Sequence, residues 1–450
     1  MVNNQTRSLE LRKADAVGVF LLILIFVAVL VRISNSVRYD LNFQHDPNVH
    51  LAGIYSLMSG QIPVNYAPPI YQAWYLAHKV FIPSYWSAPM TPDQQMKVFV
   101  GLGNLSFFLV LLSGIFFLGK ILGLSKRQTL LWLALVGAMV PLHRSLNMMR
   151  PENFQLALSP WVFLTGINWF REAEKRGVFF VNFQFVVFQI FCVLEVFQKV
   201  GGAAVVITAY LSLLVFTKIK EKNFQSVMIS TFITVLLFVA TVAGWYKITG
   251  NFILEDVAAK DPNYDHSAPL SFFVSFPMTK FLVTPYRDEL KTSMAAILLS
   301  DFYGDYWRYG YNHYKFTLPP VEDPKMLFRQ QLGGIVSLVS FIFLVTVSIF
   351  AAKKAITSKF EKREILSVLI LGWFPLLFGL IYLGLSSQVQ FHPGKANIVK
   401  WEYILFTIPF LILPIVHFSS QLKDKWSGMV YYSYCFFLIL FGFVQSLYLL

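Results

Sequence analysis

Long apolar runs alternate with short polar segments along the chain. About 11 runs approach the length of a membrane span: residues 16–33, 98–119, 128–142, 154–170, 178–197, 201–217, 224–244, 332–352, 365–385, 402–418 and 428–448. About 20 apolar residues in an α-helix cross the hydrocarbon layer of a bilayer. The pattern therefore predicts an all-α polytopic membrane protein of about 11 transmembrane helices, organised as a single domain over residues 1–450.

Two features of the runs leave alternatives open. Only Gln198, Lys199 and Val200 separate two neighbouring runs, and a tight hairpin there would change the number of crossings by one. The first run follows a basic N-terminal segment, as in a cleaved signal peptide. That run is at the long end for such a peptide and no small-x-small cleavage site follows it, which favours an uncleaved first span.

Basic residues are concentrated in alternate loops, which predicts the orientation of the chain. With the N-terminus in the cytoplasm, the cytoplasmic segments hold most of the loop cations: Arg7, Arg12, Lys13, Lys120, Lys126, Arg127, Arg171, Lys175, Arg176, Lys218, Lys220, Lys222, Lys353, Lys354, Lys359, Lys362, Arg363, Lys423 and Lys425. The two long loops, residues 34–97 and 245–331, then lie outside and are expected to bear short interfacial helices. We expect a multi-pass protein of the plasma (inner) membrane, with its function on the extracytoplasmic side.

The composition narrows the possible partners. The chain is 56% hydrophobic and only 14% charged, whereas soluble domains carry about 25% charged residues. The formal net charge of +13 does not indicate nucleic-acid binding, because the cations follow the pattern that sets membrane orientation. The two cysteines, Cys192 and Cys435, lie in apolar runs and are interpreted as buried thiols. The lipid bilayer is the expected surrounding, with no nucleic-acid partner.

The first long loop contains an acidic residue and a histidine four positions apart, Asp46 and His50. If the chain turns helical after Pro47, both side chains point to the same side. Asp46 is then a candidate catalytic group with His50 beside it. The competing interpretation is an aspartate that caps the helix, followed by an interfacial histidine.

The second long loop contains a short aromatic and acidic segment, DFYGDYWRY at residues 301–309. Aromatic faces stack on the C–H faces of sugar rings, while carboxylates accept hydrogen bonds from sugar hydroxyls. Asp301, Asp305 and Trp307 are therefore candidates for binding a sugar or an acceptor. The alternative is an amphipathic interfacial helix with an aromatic belt.

Three outer-side cations run against the charge bias and are candidate phosphate ligands. Arg150 lies beside Glu152 in an outer turn, and Lys395 and Lys400 follow His392 in the last outer loop. Charge-assisted hydrogen bonds to phosphate are one reason to place cations there. Long basic side chains that reach back to the interface are the alternative. Glu195, near the outer end of an apolar run, is a further functional candidate because carboxylates within membranes are uncommon, and the alternative is a side chain that reaches the interface.

Motifs for other chemistries are missing from the sequence. It contains no P-loop, no HExxH, no GxSxG and no paired CxxC. The sequence gives no support for ATP hydrolysis or for a zinc site, and we expect no cofactor and no metal ligands.

The order of these segments resembles the GT-C-type glycosyltransferases, the class of the protein O-mannosyltransferases and the aminoarabinose transferases. The resemblance rests on five segments spread over most of the chain: Asp46 with His50, SGQIPVNYAPPIYQAWY at 59–75, RPENF at 150–154, DFYGDYW at 301–307 and HPGKANIVKWEY at 392–403. The class often has two adjacent acidic residues in the first loop, whereas Pro47 follows Asp46 here, which leaves a catalytic pair and a metal site without a second carboxylate.

The resemblance implies transfer of a sugar from a polyprenyl-phosphate carrier to an acceptor hydroxyl on a glycan, lipid or protein, with inversion. Asp46 would be the general base with His50 beside it, and Arg150, Lys395 and Lys400 would hold the donor phosphate. Glu152, Asp301, Asp305, Trp307 and His392 would contact the sugar or the acceptor. The alternatives are a flippase or transporter for lipid-linked saccharides, a polysaccharide ligase or polymerase, and a non-catalytic assembly subunit. Against transport stands the lack of an internal repeat.

Overall fold

The computed structural model describes residues 2–38, 47–63, 68–78, 92–176, 179–216, 221–250, 267–306, 323–357, 362–389, 399–419 and 425–448. Over these ranges the secondary structure is helical and contains no strand, which confirms the all-α prediction. The helices are α1 (Val2–Arg38), α2 (Pro47–Met58), α3 (Ile70–Ala77), α4 (Pro92–Ile121), α5 (Lys126–Gly137), α6 (Val140–Ser145), α7 (Pro151–Arg176), α8 (Phe183–Gln198), α9 (Ala203–Phe216), α10 (Glu221–Thr249), α11 (Leu270–Val274), α12 (Met278–Val283), α13 (Arg287–Leu290), α14 (Met294–Phe302), α15 (Pro324–Thr357), α16 (Lys362–Val389), α17 (Ile408–Leu411), α18 (Leu413–Phe418) and α19 (Lys425–Tyr448), with 3-10 segments at Val200–Gly202 and Trp401–Thr407.

Seven helical segments of the described chain are long and apolar enough to cross a membrane: Ala16–Ser36, Met96–Ile121, Phe224–Thr249, Pro324–Lys354, Ile365–Gln388, Trp401–Phe418 and Trp426–Leu447. The protein is therefore an integral membrane protein. The described part of each predicted apolar run lies largely in helices, but four runs have no counterpart among these seven segments: 128–142, 154–170, 178–197 and 201–217. Phe183–Gln198 and Val200–Leu214 are shorter apolar helices. About 11 crossings remains a prediction.

Two predicted spans are broken by prolines. The run 128–142 forms α5 and then the separate short helix α6, with Pro141 in its first turn. The run 402–418 forms a 3-10 segment followed by α17 and α18, which carry Pro409 and Pro414 in their first turns. Proline lacks the N–H that would continue a helix and is suited to a first turn. The first break begins the short helix that carries Arg144, and the second run begins with the 3-10 segment that carries Glu402.

Side-chain caps fix where several helices begin. Ser125 and Gln128 form a reciprocal capping box at the start of α5, with Ser125 N donating to Gln128 Oε1 at 2.9 Å. Asn182 accepts a hydrogen bond from Phe185 N at 2.9 Å and caps α8. Such caps satisfy N–H groups that have no partner within the helix.

The helices pack around one large apolar core. α7 lies against both α4 and α8, α9 packs on α16, and α1 packs on α5. Trp132 and Trp169 are completely buried in this core, and Trp132 Nε1 donates to Pro409 O at 2.6 Å. Apolar side chains on α1 and α10, such as Phe26 and Phe232, instead point outward, as expected for helices in contact with lipid.

The loops assigned to opposite membrane sides gather at opposite ends of the bundle. At one end, Arg171 donates to Ile121 O at 2.9 Å, and Gln128 Nε2 donates to Val416 O at 3.3 Å. At the other end, Trp401 Nε1 donates to Leu298 O at 2.7 Å. This grouping matches the predicted division of the loops, while the cytoplasmic assignment of the N-terminus still depends on the charge bias.

Candidate functional site

A completely buried guanidinium ties three distant segments together at the second end of the bundle. Arg144 on α6 donates through Nη2 to Asp301 Oδ2 and through Nε to Glu402 Oε1, both at 2.9 Å. Arg144 Nη1 also donates to Gly304 O at 2.9 Å. Arg144 therefore joins α6, the end of α14 and the 3-10 segment that follows Lys400. The side chain of Arg144 has no exposed surface, so it does not reach back to the membrane interface.

Asp301 is held away from solvent by this arrangement. Burial raises the pKa of its carboxyl well above the usual range, although the positive charge of Arg144 acts in the opposite direction. Asp305, which lies close enough to influence Asp301, is half-buried, and its backbone N–H donates to Gln330 Oε1 at 2.6 Å. Asp301 is thus part of a structural junction, and its proposed contact with a sugar or acceptor remains a prediction.

The turn that leads from Arg144 to Arg150 is fixed by an asparagine on α7. Asn153 Nδ2 donates to Met148 O at 2.8 Å and to Ser145 O at 3.1 Å, while Ser145 Oγ donates to Asn153 Oδ1 at 2.7 Å. Because α7 begins at Pro151, Glu152 follows in its first turn, where a carboxylate is favoured by the helix dipole. The turn therefore places Arg150 and Glu152 side by side.

His50 on α2 meets the first turn of α3 in this same region. The Nδ1 atom of His50 lies 2.7 Å from Tyr71 Oη, and Gln72 Nε2 donates to His50 O at 3.3 Å. Gly53 allows this approach, since a Cβ atom there would lie 1.9 Å from Gln72 Nε2. The first long loop is therefore anchored on α3 through His50.

A second ion pair joins α7 to the end of α8. Glu152 Oε1 accepts a hydrogen bond from Lys199 Nζ. The ammonium of Lys199 also lies 4.1 Å from the centre of the Tyr403 ring, and Lys400 Nζ lies 5.7 Å from the same centre. Cations over aromatic faces are stabilised by the ring quadrupole. Two cations from segments about 200 residues apart therefore lie near the ring of Tyr403.

The electrostatics of these groups show that they form one cluster. Burial, followed by the positive charge of Arg150, lowers the pKa of His50 to about 4, against the opposing influence of Glu152. Burial raises the pKa of Glu152, but the charges of Lys199 and Arg150 outweigh it, and the carboxyl pKa is lowered overall. At neutral pH this leaves a neutral His50, an ionised Glu152 and the cations Arg150, Lys199 and Lys400. We call these five residues the cationic cluster.

The structure brings part of the predicted site together. Four of the predicted residues belong to the cationic cluster: His50, Arg150, Glu152 and Lys400. Asp301 is linked to the cluster through Arg144, which also pairs with Glu402. The charges of Arg150 and Lys400 act on the carboxyl of Glu402. The predicted residues Asp46, Trp307, His392 and Lys395 lie outside the described residues. Over the described ranges, no three His, Cys, Asp or Glu side chains are grouped as metal ligands would be.

Sequence reasoning did not assign roles to Lys199, Tyr71 or Glu402. Lys199 could have been singled out as a functional candidate, since it is a lone cation between two apolar runs on the predicted outer side. Tyr71 and Glu402 had none beyond their place in the resembling segments. Glu195, singled out as a carboxylate within an apolar run, is completely buried, and neither of its carboxyl oxygens has a hydrogen-bond partner among the described residues.

The fold is similar to that of an archaeal enzyme. The apo crystal structure of the oligosaccharyltransferase from Archaeoglobus fulgidus matches with a TM-score of 0.52 at 12% identity, covering 95% of this chain and 56% of that one. The structure of the same enzyme with an inhibitory peptide and dolichol-phosphate matches with a TM-score of 0.46, also at 12% identity, with 95% and 56% covered.

The chain thus spans just over half the length of that enzyme, which has a GT-C fold. No protein-family model matches the chain, and no curated protein sequence matches it significantly. At this level of identity the likeness concerns the fold, and it does not single out the O-mannosyltransferases or the aminoarabinose transferases within the GT-C class.

Proposed function

We propose that this protein is a membrane glycosyltransferase that moves a sugar from a polyprenyl-phosphate carrier to an acceptor hydroxyl on the extracytoplasmic side. The observation that carries the proposal is the cationic cluster at one end of a bundle with a GT-C fold. Arg150 and Lys400 are almost fully buried, and Lys199 is three-quarters buried. Buried cations at the end of membrane helices suit a phosphate whose lipid chain remains in the bilayer.

The cations have a role in the chemistry of a lipid-phosphate leaving group. As the bond between the sugar anomeric carbon and the phosphate oxygen breaks, negative charge develops on the departing phosphate. Positioned donors that face this charge lower the barrier because they stabilise the transition state more than the ground state. The proposed phosphate ligands are Arg150 and Lys400, with Lys395 from the adjoining loop. Lys199, which is paired with Glu152 in the same cluster, is proposed as a further ligand.

The proton of the acceptor needs a base. In the proposed reaction the acceptor oxygen attacks the anomeric carbon opposite the phosphate, so the configuration inverts. Asp46 takes the hydroxyl proton, and polyprenyl phosphate leaves with the bonding electrons. Asp46 is followed directly by α2, which carries His50 into the cluster. His50 is neutral at pH 7 and is proposed to hold the first loop in position beside the donor.

The test is a product assay with the purified protein in lipid nanodiscs. It would be incubated with a pool of polyprenyl-phosphate sugars, each radiolabelled in the sugar, and with a membrane extract as the acceptor source. The expected result is release of polyprenyl phosphate together with label in a glycosidic product, which an Asp46→Asn variant does not give. Movement of intact labelled carrier across liposomes without bond formation would instead support a flippase and overturn the proposal.

A further inference from the structure

Three buried glutamines around the cationic cluster share one unusual arrangement. Gln72, Gln155 and Gln198 have no exposed surface, and in each the amide nitrogen donates to a backbone carbonyl. The acceptors are His50 O at 3.3 Å for Gln72, Glu195 O and Lys199 O at 2.7 Å each for Gln155, and Pro68 O at 3.1 Å for Gln198. In each the amide oxygen, Oε1, has no hydrogen-bond partner among the described residues.

Glu152 adds a fourth oxygen of this kind. Its Oε1 atom is paired with Lys199, while Oε2 is buried and has no hydrogen-bond partner in the described part of the chain. The four side chains belong to segments that the cluster joins, and Gln155 Nε2 donates to Lys199 O. Gln155 lies one turn after Glu152 on α7, Gln198 directly precedes Lys199, and Gln72 follows Tyr71, which contacts His50.

Three buried glutamines elsewhere in the described chain satisfy both ends of the amide. Gln128 accepts from Ser125 N at 2.9 Å and donates to Val416 O. Gln189 accepts from Thr234 Oγ1 at 2.5 Å and donates to Ser230 Oγ. Gln330 likewise accepts from Asp305 N and donates to Ser300 Oγ. Among the buried glutamines of the described chain, a fully shielded amide oxygen without a hydrogen-bond partner occurs only at the three beside the cluster.

A buried acceptor without a donor costs free energy, and a ligand that supplies donors removes that cost. Phosphate cannot do so, because its oxygens act as acceptors at neutral pH, and an acyl or prenyl chain has no donors at all. Hydroxyl groups each carry one O–H donor. The cations of the cluster and the neighbouring acceptor oxygens together match a phosphate ester that also bears several hydroxyl groups.

We infer that Glu152 Oε2 and the amide oxygens of Gln72, Gln155 and Gln198 bind hydroxyl groups of the donor's sugar, while the cations bind its phosphate. This inference rests on the proposed function and names the part of the site that distinguishes a glycosylated carrier from a bare lipid phosphate. Since the four oxygens are shielded from solvent in the structure, sugar entry requires a local opening of the side chains around them.

Carrier binding without acceptor tests the inference. The affinity of the wild-type protein would be measured for polyprenyl phosphate and for polyprenyl-phosphate hexose in nanodiscs. We expect the glycosylated carrier to bind at least about 10-fold more tightly. Gln72→Met and Gln198→Met should each lower that affinity about 3- to 10-fold and leave the affinity for polyprenyl phosphate unchanged. Gln189→Met, which removes a satisfied glutamine elsewhere, is the matched control and should change neither affinity.

The outcomes are distinguishable even if a variant fails to fold, because the comparison of the two carriers uses the wild-type protein. Equal affinity for the bare and the glycosylated carrier would overturn the inference and leave the phosphate assignment standing. Failure of both carriers to bind would overturn the inference together with the proposed function. A preference for the glycosylated carrier that the glutamine variants retain in full would assign sugar binding to other residues and also overturn it.

Discussion

Arg144 and Glu402, 258 positions apart in the sequence, form a completely buried ion pair, with Nε 2.9 Å from Oε1. Replacing Arg144 with Met should destabilise the fold by about 3–5 kcal/mol, because it leaves the Glu402 carboxylate buried without its cation. The double variant Arg144→Met, Glu402→Met should recover part of this loss. Thermal unfolding in detergent would measure both. The exposed pair Lys175–Glu172 is the control, and Glu172→Gln should leave the unfolding temperature unchanged.

Neutralising the cations of the proposed phosphate site should weaken carrier binding. Arg150→Gln, Lys395→Gln and Lys400→Gln should each cost about 1.5–3 kcal/mol, since a charged hydrogen bond to the phosphate is lost. Affinity for polyprenyl phosphate in nanodiscs is the measurement. Lys280→Gln removes a cation of an exposed ion pair with Glu289 and should bind as wild type. If the variants of Arg150, Lys395 and Lys400 all matched that control, the phosphate assignment would be wrong.

Asp46→Asn separates the two interpretations of this residue. Asparagine caps a helix about as well as aspartate, so a capping role predicts nearly unchanged turnover. A general base cannot be replaced in this way, and turnover should fall by on the order of 100-fold or more while donor binding persists. His50→Ala should cost less than Asp46→Asn because its proposed role is positioning. Normal turnover by a folded, donor-binding Asp46→Asn protein would move the assignment to Asp301 or Asp305.

The lowered pKa of His50 predicts a loss of stability in acid. The unfolded chain binds a proton at His50 below pH 6.5, whereas the folded protein does so only near pH 4. The stability due to neutral His50 is therefore complete above about pH 6.5 and is lost as the pH falls toward 4. His50→Gln should show a smaller drop in unfolding temperature between pH 7 and pH 5 than wild type does.

The ionisation of two other groups does not affect this comparison of wild type with His50→Gln. Burial lowers the pKa of His143 to about 3, and this residue is the same in both proteins, so its contribution cancels. The lowered pKa of Glu152 keeps its carboxyl ionised between pH 5 and pH 7. Parallel curves for wild type and His50→Gln would show that His50 is not held neutral by the fold.

Gly202 allows the end of α8 to lie against α7, and alanine should not be tolerated there. A Cβ atom at this position would lie 2.2 Å from Glu195 O and 2.6 Å from Gln155 Nε2. The backbone has to shift to accept it, which should destabilise the protein by about 1–3 kcal/mol. Gly244→Ala in α10 is the control, because a Cβ atom there meets nothing within 4 Å and alanine favours a helix. Equal unfolding temperatures for the two variants would contradict this account.

The sequence predicted the helical class and the region of each apolar run because a bilayer demands long apolar segments. It did not predict the breaks near Pro141 and Pro409, since both runs stay apolar across them. Arg150 and Lys400 were predicted because each departs from the local charge pattern, and Glu152 because it lies in the RPENF segment that carries the resemblance. The role of Arg144 as a junction could not be predicted. Tertiary packing brings Asp301 and Glu402 to it, and the local spacing of residues does not reveal that packing.

The long sequence separation within the Arg144 junction has a consequence for biosynthesis. At roughly 5–20 residues per second, a ribosome needs on the order of ten to fifty seconds to extend the chain from Arg144 to Glu402. During that interval α6 and α7 are already made, while Arg144 has only Asp301, once that residue is made, as a carboxylate partner. This end of the nascent bundle must therefore stay hydrated, or be shielded by another protein, until the last third of the chain has been synthesised. A stop codon or frameshift before residue 301 would remove both carboxylate partners of Arg144, Asp301 and Glu402, and would leave an uncompensated cation in the truncated chain.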